Sequence, residues 1–426
     1  MHDLRRTPSN LLTPAIGALL LLTGCTLPDL GDATTDGTDG NDTGASDGAD
    51  STGGVPGDCA PLEQTDIDTD ATLPAGCYEV STLLFLESRL ELSPDAQLYF
   101  GANTGLQVFG SGVLVAVGTV DAPVLMTSAQ GQGWSGIQLS GAASSENQLD
   151  WVRIEDAAAD AVALDPSSRL QVSNSEISGA GGFGFTASPG AEFTLATTVI
   201  EDCAVPVAVG LDGVEGIAAD NTLTTNTEAV VQVEGGTLAD DAQWIDPGVP
   251  LQLTGNAFIE GALGVGPGLE IEMPQDAEFS VATAGSLTAE GTAEAPIVLR
   301  GIQDERGYWQ GISFASNDSA NILRHCEVAN GGSDGWNGSG ESVAAVWLAE
   351  QSRLEMSDST IRASDGAALT SFGGANMTGF ANNRIEDNRQ TIKVSPNMID
   401  EIEASNTFVD NDEAYVRVGR PGANNE

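Results

Sequence analysis

The chain of 426 residues is 41% hydrophobic, which is long and apolar enough for an extended core and excludes disorder throughout. Its 62 acidic and 15 basic residues give a formal net charge of −47, which repels nucleic acid and anionic lipid headgroups and excludes both as ligands. With 52 glycines and 5% aromatic residues, the composition favours many short strands joined by tight turns.

Residues 1–24 have the pattern of a signal peptide. A pair of arginines precedes an apolar stretch that is too short to span a bilayer, and the letters LTGC follow at 22–25. This run resembles the lipobox of bacterial lipoproteins, which implies that Cys25 carries a diacylglyceryl group and begins the mature protein. Thr26, by resemblance to sorting signals, favours the outer membrane. The alternative is an ordinary secretory signal with a chance cysteine.

Residues 25–57 are predicted to form a disordered tether, because they are rich in Asp, Gly, Thr and Ser and have almost nothing to bury. Their TDGTDGND run lacks the alternating order and the closing glutamate of an EF-hand loop, so Ca²⁺ is only a weak prediction and no other cofactor is expected. Cys59 and Cys77 follow the tether, and a disulfide between them would fasten an open end, with two free thiols as the alternative. Cys203 and Cys326 are predicted to be small buried residues.

The rest of the chain contains two copies of one module. ESRLELSPDAQLYF at 87–100 aligns without a gap to EGALGVGPGLEIEM at 260–273, and SRLQVSNSEI at 168–177 matches SRLEMSDSTI at 352–361. The offset grows between these matches, which places an insertion in the second copy near 330–341. The predicted boundaries are 58–245 for module 1 with its N-terminal cap and 246–426 for module 2.

Within each copy, apolar residues alternate in very short runs, and about three such runs fill each turn of roughly 22 to 25 residues. Strands this short share one core if they coil three to a turn and stack at about 4.8 Å. The sequence therefore predicts an all-β fold, a right-handed parallel β-helix of two tandem modules with about six rungs each. A β-sandwich or propeller is the alternative. The WIDPGVP stretch at 244–250 is a place where the stack could break.

Several phrases resemble those of a known family. They are LGVGPGLEIEM at 263–273, GSLTAEGTAEAPIVL at 285–299, WQGISF from Trp309 and, in the first copy, WSGIQL from Trp134. They resemble right-handed parallel β-helix proteins of the pectin-lyase-like group, in particular bacterial surface lipoproteins. The resemblance covers about residues 72–418 and implies the fold, while its motifs specify rungs and turns and imply little about activity. Both tryptophans are predicted to pack in the core or at turns.

Enzymes of this fold use a basic residue beside acidic ones, or clustered carboxylates. Lys393 is the single lysine and no basic cluster surrounds it in sequence, so a solvated lysine is expected. The acidic pairs at 155–156, 201–202 and 386–387 recur at rung ends and are predicted to form turns. His325 replaces Trp151 of the first copy and has no nearby His or Cys, so a structural role is expected. No catalytic or metal residue is predicted.

The insertion is the strongest candidate for contact with a ligand. Trp336 could offer a flat apolar surface to a sugar ring, while Asp334, Asn337 and Glu341 could form hydrogen bonds around it. The alternative is a Gly-rich turn that tolerates extra length.

The leading functional prediction is a non-catalytic lipoprotein, exported and anchored to the cell envelope at the outer membrane or cell surface. It would present an acidic β-solenoid for adhesion, glycan contact or surface structure. The alternative is a polysaccharide lyase or glycoside hydrolase of the parallel β-helix type, and a third reading is a secreted protein stabilised by Ca²⁺ at acidic turns. The expected partners are the membrane, through the lipid, and a polysaccharide, but no nucleic acid. A convergent acid and base on one outward face would favour the enzyme.

Overall fold

The computed structural model describes residues 56–131, 133–336 and 342–419, which belong to one compact unit, Thr52–Glu426. These residues form short strands that pair in parallel with the strands one turn before and after, so the predicted parallel β-helix is confirmed. No helix among the described residues is long and apolar enough to cross a membrane.

Five parallel sheets carry the strands. Sheet I contains Leu84–Leu86, Leu106–Phe109, Ile137–Ser140, Val162–Leu164, Phe183–Ala187, Val205–Gly210, Val231–Glu234, Leu251–Leu253, Glu270–Met273, Ile297–Gly301, Cys326–Ala329, Thr360–Arg362, Arg384–Glu386 and Thr407–Val409. Sheet II contains Ala71–Leu73, Arg89–Leu92, Val113–Val117, Gln148–Asp150, Arg169–Ser173 and Glu192–Ala196. Sheet III contains Ala60–Pro61, Gly76–Val80, Ala96–Phe100, Val124–Ser128, Val152–Glu155, Glu176–Ser178 and Val199–Glu201.

Two further sheets belong to the C-terminal half. Sheet IV contains Gly236–Leu238, Ala257–Ile259, Glu278–Val281, Gly311–Phe314, Ala344–Leu348, Ala367–Ser371, Gln390–Val394 and Arg417–Val418. Sheet V contains Ala242–Trp244, Ala262–Val265, Ser286–Glu290, Ile322–Arg324, Arg353–Ser357 and Asn376–Ala381. Short 3₁₀ segments lie at Gln64–Asp66, Ala129–Gly131, Leu211–Gly216 and Pro396–Glu401.

Sheet I runs without interruption through both halves, and the other sheets change at the junction. In the N-terminal half each turn passes from sheet I to sheet II and then to sheet III, and in the C-terminal half it passes from sheet I to sheet IV and then to sheet V. Sheet IV therefore lies on the same side of the coil as sheet II, and sheet V lies on the same side as sheet III. Strands Val231–Glu234 and Leu251–Leu253 pair directly, so the stack continues past 244–250 on the side of sheet I.

The core lies inside the coil and is built by the alternation seen in the sequence. The strand Leu106–Phe109 buries its first and third residues and exposes part of the other two, as a period of two requires. Leu84, Leu106 and Ile137 are register partners on successive turns and are buried. Each such side chain contributes about 1.5–3 kcal/mol by leaving water.

The segments matched in the sequence occupy different sheets in the two halves. Segment 87–100 supplies strands of sheets II and III, whereas its match 260–273 supplies strands of sheets V and I. Likewise 168–177 contributes to sheets II and III, and 352–361 to sheets V and I. Since sheet V lies on the same side of the coil as sheet III, the matched segments of the two halves lie one third of a turn apart about the solenoid axis. The duplication and the proposed module boundaries themselves stay predictions from the sequence.

Single residues in the left-handed conformation turn the chain at the corners. Asn174 (φ 49°) and Thr197 (φ 51°) lie between sheets II and III, and Asp358 (φ 52°) and Asn382 (φ 58°) lie between sheets V and I. Asn and Asp are common in this conformation because their short polar side chains bond to nearby backbone.

Asparagine side chains inside the corners satisfy the backbone that the turns leave unpaired. Asn383 is fully buried, its Oδ1 accepts from the Ser359 backbone N at 3.1 Å, and its Nδ2 donates to the Met356 backbone O at 3.2 Å. Its own backbone N donates to Oδ1 of Asn406 at 2.9 Å, one turn later. These side chains replace water for buried backbone groups, which would otherwise be costly.

The first turn is closed by a small cap. Cys59 and Cys77 form a disulfide whose Cα atoms are 4.6 Å apart. Leu62 and Ile67 are buried beneath the first strands, with 2% and 0% of their surfaces exposed. The apolar end of the stack is thereby covered at this side.

Candidate functional site

The outer face of sheet IV carries a column of side chains that the register stacks one above another. Trp347 pairs with Thr370, Thr370 with Lys393, and Lys393 with Arg417. Trp347 and Thr370 are buried although they point away from the coil, with 9% and 0% of their surfaces exposed. The C-terminal half therefore has a covered outer face that ends in two cations.

A cleft of about 290 Å³ opens where this column reaches Lys393 and Arg417. Its walls include basic and acidic side chains and residues on either side of the insertion. The lining residues are Gly332, Ser333, Val343, Asp365, Gly366, Arg389, Gln390, Lys393, Glu413 and Arg417. Three basic side chains thus meet two acidic ones in a protein of net charge −47. We refer to this region as the C-terminal cleft.

The two arginines of the C-terminal cleft are paired differently. Arg389 Nη1 lies 3.7 Å from Asp365 Oδ1, and both side chains are more than half exposed. Arg417 Nη2 contacts Glu413 Oε2 at 2.7 Å, and its guanidinium carbon lies 5.8 Å from the centre of the Tyr415 ring. The hydrogen bond to Tyr415 and the charge of Glu413 raise the pKa of Arg417. The exposed Arg389–Asp365 pair is worth little, so Arg389 can change partners at small cost, whereas Arg417 is held by both carboxylate oxygens of Glu413.

The insertion packs against sheet IV with an aromatic cluster. The rings of Trp336 and Trp347 are stacked with centroids 5.6 Å apart, and Phe372 meets Trp347 edge-on at 5.5 Å. Trp336 Nε1 donates to the Ala344 backbone O at 3.1 Å, and only 4% of the residue is exposed. The expectation of an exposed indole is therefore wrong, because Trp336 finds an aromatic partner one strand away.

The other residues of the predicted loop have different outcomes. Asp334 is exposed, and its Oδ1 accepts from the Gly335 backbone N at 2.6 Å. Asn337 and Glu341 lie outside the described residues. Binding of a ligand by this loop stays a prediction, and the buried ring of Trp336 removes the stacking surface on which it relied.

Several buried polar atoms next to the C-terminal cleft have no hydrogen-bond partner among the described residues. They are Ser333 Oγ, on the cleft wall, with Trp347 Nε1 and Thr370 Oγ1 in the column that leads to Lys393. Buried polar groups are normally satisfied, and each orphan costs about 1–3 kcal/mol. A buried water would supply the missing partner of such an atom.

Sequence reasoning placed Lys393 outward but missed its neighbours. Arg417 follows it by one turn and is its register partner, while Arg389 and Asp365 lie at successive corners. Each turn at this end of the chain takes about 24 residues, and this spacing is the sequence signal that places these four residues close together. Lys393 has no basic cluster around it along the sequence, but the fold brings Arg389 and Arg417 to the same cleft, where Lys393 is half-buried.

The acidic pairs are turn residues, as predicted. Asp156, Asp202 and Asp387 have φ values of 58°, 53° and 53°, so each second member of a pair makes a left-handed corner. His325 also lies at a corner, with φ 47°. These positions explain the recurrence of the motif without an active centre.

The remaining predicted residues are in the core. Trp134 and Trp309 are fully buried and donate from Nε1 to the backbone oxygens of Glu155 and Ala329 at 2.8 and 2.7 Å, which confirms packing at turns. Cys203 and Cys326 are buried free thiols, as expected.

No group of three or more His, Cys, Asp or Glu side chains within 56–131, 133–336 and 342–419 is placed to hold a metal ion. Cys25 lies outside these ranges, so the structure does not address the lipid anchor. Comparisons with protein-family models, curated proteins and solved structures find no match for this chain.

Proposed function

We propose that the protein is an exported envelope lipoprotein, anchored through Cys25, that binds carboxylate-bearing polysaccharide at the C-terminal cleft without cleaving it. The lipobox-like run at 22–25 supports the anchor, and the family phrases support a surface protein of the pectin-lyase-like type. A rigid solenoid is suited to presenting such a surface, and the tether predicted from the sequence at 25–57 would hold it away from the membrane.

One observation carries the choice of ligand. Lys393, Arg389 and Arg417 share one cleft on a chain that has 15 basic residues against 62 acidic ones. An acidic protein repels an acidic polymer everywhere except where cations are gathered. Arginine pairs with carboxylates through two parallel hydrogen bonds, which gives such a cleft selectivity for uronate groups.

An enzyme of the lyase type is the second candidate. The C-terminal cleft places basic and acidic side chains on one outward face, the arrangement that distinguishes the enzyme from the binding protein. A lyase needs a base beside the carbon whose proton is removed and a cation that neutralises the adjacent carboxylate. Lys393 with Arg417 is the pair that would serve.

The decisive experiment compares polygalacturonate with its fully methyl-esterified form, which has the same backbone without charge. Wild-type protein should retain only the charged polymer. The double variant Arg389→Gln with Arg417→Gln should weaken retention at least tenfold, since each charge-assisted hydrogen bond is worth about 1.5–3 kcal/mol. Arg384→Gln is the matched control, because Arg384 is also exposed and paired with an acid, Glu386, outside the cleft.

The same incubations are assayed for new chain ends. Equal retention by the double variant would overturn the cleft as the site. If unsaturated or reducing ends appear with wild type and disappear with Lys393→Gln, the protein is an enzyme and the proposal of binding without cleavage is overturned.

The anchor is tested separately. Cys25→Ser should leave the protein unlipidated and released from the membrane fraction, because one residue carries the attachment. Labelling with a radioactive fatty acid followed by fractionation measures both effects. Unchanged membrane retention of the variant would contradict the proposal.

A further inference from the structure

A second cleft lies at the other end of the stack, at the corner between sheets II and III. It has a volume of about 370 Å³ and is lined by Val120, Pro123, Trp151, Arg153, Asn174 and Glu176, among others. Val120 is 68% exposed, and the indole of Trp151 is partly exposed. This cleft shares no residue with the C-terminal cleft.

Trp151 has an unusual position for a bulky residue. Its φ is 54°, in the left-handed region, and the equivalent corners on the next two turns hold Asn174 and Thr197. The fold therefore needs only a residue that tolerates this backbone, and asparagine does so better than tryptophan. Strained bulky residues of this kind are concentrated at functional sites.

The second copy gives an internal comparison. The turn 118–123 matches 291–296 in sequence, and each turn passes close to a corner residue. A Cβ on Gly118 would lie 2.5 Å from the carbonyl oxygen of Trp151, and a Cβ on Gly291 would lie 2.5 Å from that of His325. Both turns thus pass close to the matching corner, yet Val120 is replaced by Ala293 and Trp151 by His325. Val120 and Trp151 have no apolar counterpart of their size at the second corner, so neither side chain is required to build it.

The polar groups of the cleft point to an uncharged ligand. Arg153 pairs with Glu155 at 2.8 Å and with Glu176 at 3.3 Å, so its positive charge is already neutralised within the protein. Asn174 Nδ2 donates to Asp150 Oδ1 at 2.8 Å, which leaves its own carbonyl oxygen as an acceptor at the rim. An indole beside apolar side chains, with hydrogen-bonding groups at the edge, is complementary to the apolar face and equatorial hydroxyls of a sugar ring.

We propose that the Trp151 cleft is a binding site for a neutral hexopyranose ring of a glycan. The site does not depend on the C-terminal cleft and extends the binding surface beyond carboxylated polymers.

The test uses Trp151→Asn in the full chain, with His325→Asn at the equivalent corner as the control. Three neutral glucose hexamers, with β-1,4, α-1,4 and β-1,3 linkages, are titrated by calorimetry. Wild type should bind at least one of them, Trp151→Asn should weaken that binding at least tenfold, and His325→Asn should leave it unchanged. The melting temperature of Trp151→Asn should equal or exceed that of wild type, because asparagine suits the left-handed corner.

Each contrary result has a clear meaning. Absence of wild-type binding to all three hexamers at millimolar concentration overturns the proposal, as does unchanged binding by Trp151→Asn. A large fall in its melting temperature shows that the indole is there for packing and also overturns it. The double variant of the C-terminal cleft should bind the neutral hexamer normally, and Trp151→Asn should still retain polygalacturonate, so the two proposals fail separately.

Discussion

At the scale of single residues, the environment decides which reactive groups are available. Cys203 and Cys326 are buried thiols, and burial raises the pKa of both, to about 12 for Cys326. A thiol with so high a pKa is almost never a thiolate at neutral pH, so it is inert as a nucleophile and as a metal ligand. Neither cysteine is therefore a candidate for chemistry, in agreement with the expectation from their positions in sequence.

This inertness can be measured in a Cys25→Ser background. Folded protein should react with a thiol reagent at pH 8 at neither cysteine, and two thiols should appear on unfolding. Since the thiol of Cys326 ionises near 9 when unfolded and near 12 when folded, the unfolded state loses its proton first. The free energy of unfolding should therefore fall as pH rises from about 9 to about 12, and Cys326→Ala should reduce that fall. Rapid labelling of the folded protein at pH 8 would contradict the burial.

At the scale of strands and corners, the structure depends on asparagine side chains that cross from one turn to the next. Asn383→Ala removes an acceptor from the Ser359 backbone N and a donor from the Met356 backbone O in a fully buried site. Two unsatisfied groups at about 1–3 kcal/mol each predict a loss of about 2–6 kcal/mol in the free energy of unfolding. Asn376→Ala, at an exposed position of sheet V, should change it by less than about 0.5 kcal/mol. Equal effects of the two changes in chemical denaturation would refute this role.

The strands could be predicted because their signal is local, whereas the sites depend on how many residues make a turn. Alternation such as Leu106 and Val108 identifies an inward face directly. The pairing of Lys393 with Arg417 in register depends on the turn length at one end of the chain. The burial of Trp336 depends on its partner Trp347, which lies in a strand beyond the insertion. The offset of one third of a turn between the matched segments could not be predicted either, because a sequence alignment does not show on which side of the coil a segment lies.

At the scale of the whole molecule, charge repulsion is the dominant long-range force. The net charge of −47 destabilises the compact state by repulsion. The ion pairs are mostly exposed, as in Arg306 with Asp387 and Asp412, and they offset little of this repulsion. Raising NaCl from about 0.01 M to about 1 M shortens the screening length from about 30 Å to about 3 Å. The melting temperature should rise along this series. A neutral osmolyte at matched osmolality is the control, and a fall in the melting temperature with salt would show that the ion pairs outweigh the repulsion.

The placement of sheet IV has a consequence for multivalent binding. Sheet IV, with Lys393, lies on the same side of the coil as sheet II. Trp151 lies at the edge of sheet II, ten turns away along sheet I. At about 4.8 Å per turn the two clefts are separated by roughly 50 Å on one rigid body. If both proposed sites bind glycan, a short oligosaccharide would reach one cleft only. A polymer with neutral and uronate stretches that spans this distance would engage both, and its second contact would form at a high effective concentration. Affinity should then increase steeply once the glycan exceeds that length, and the protein would select long chains over their fragments.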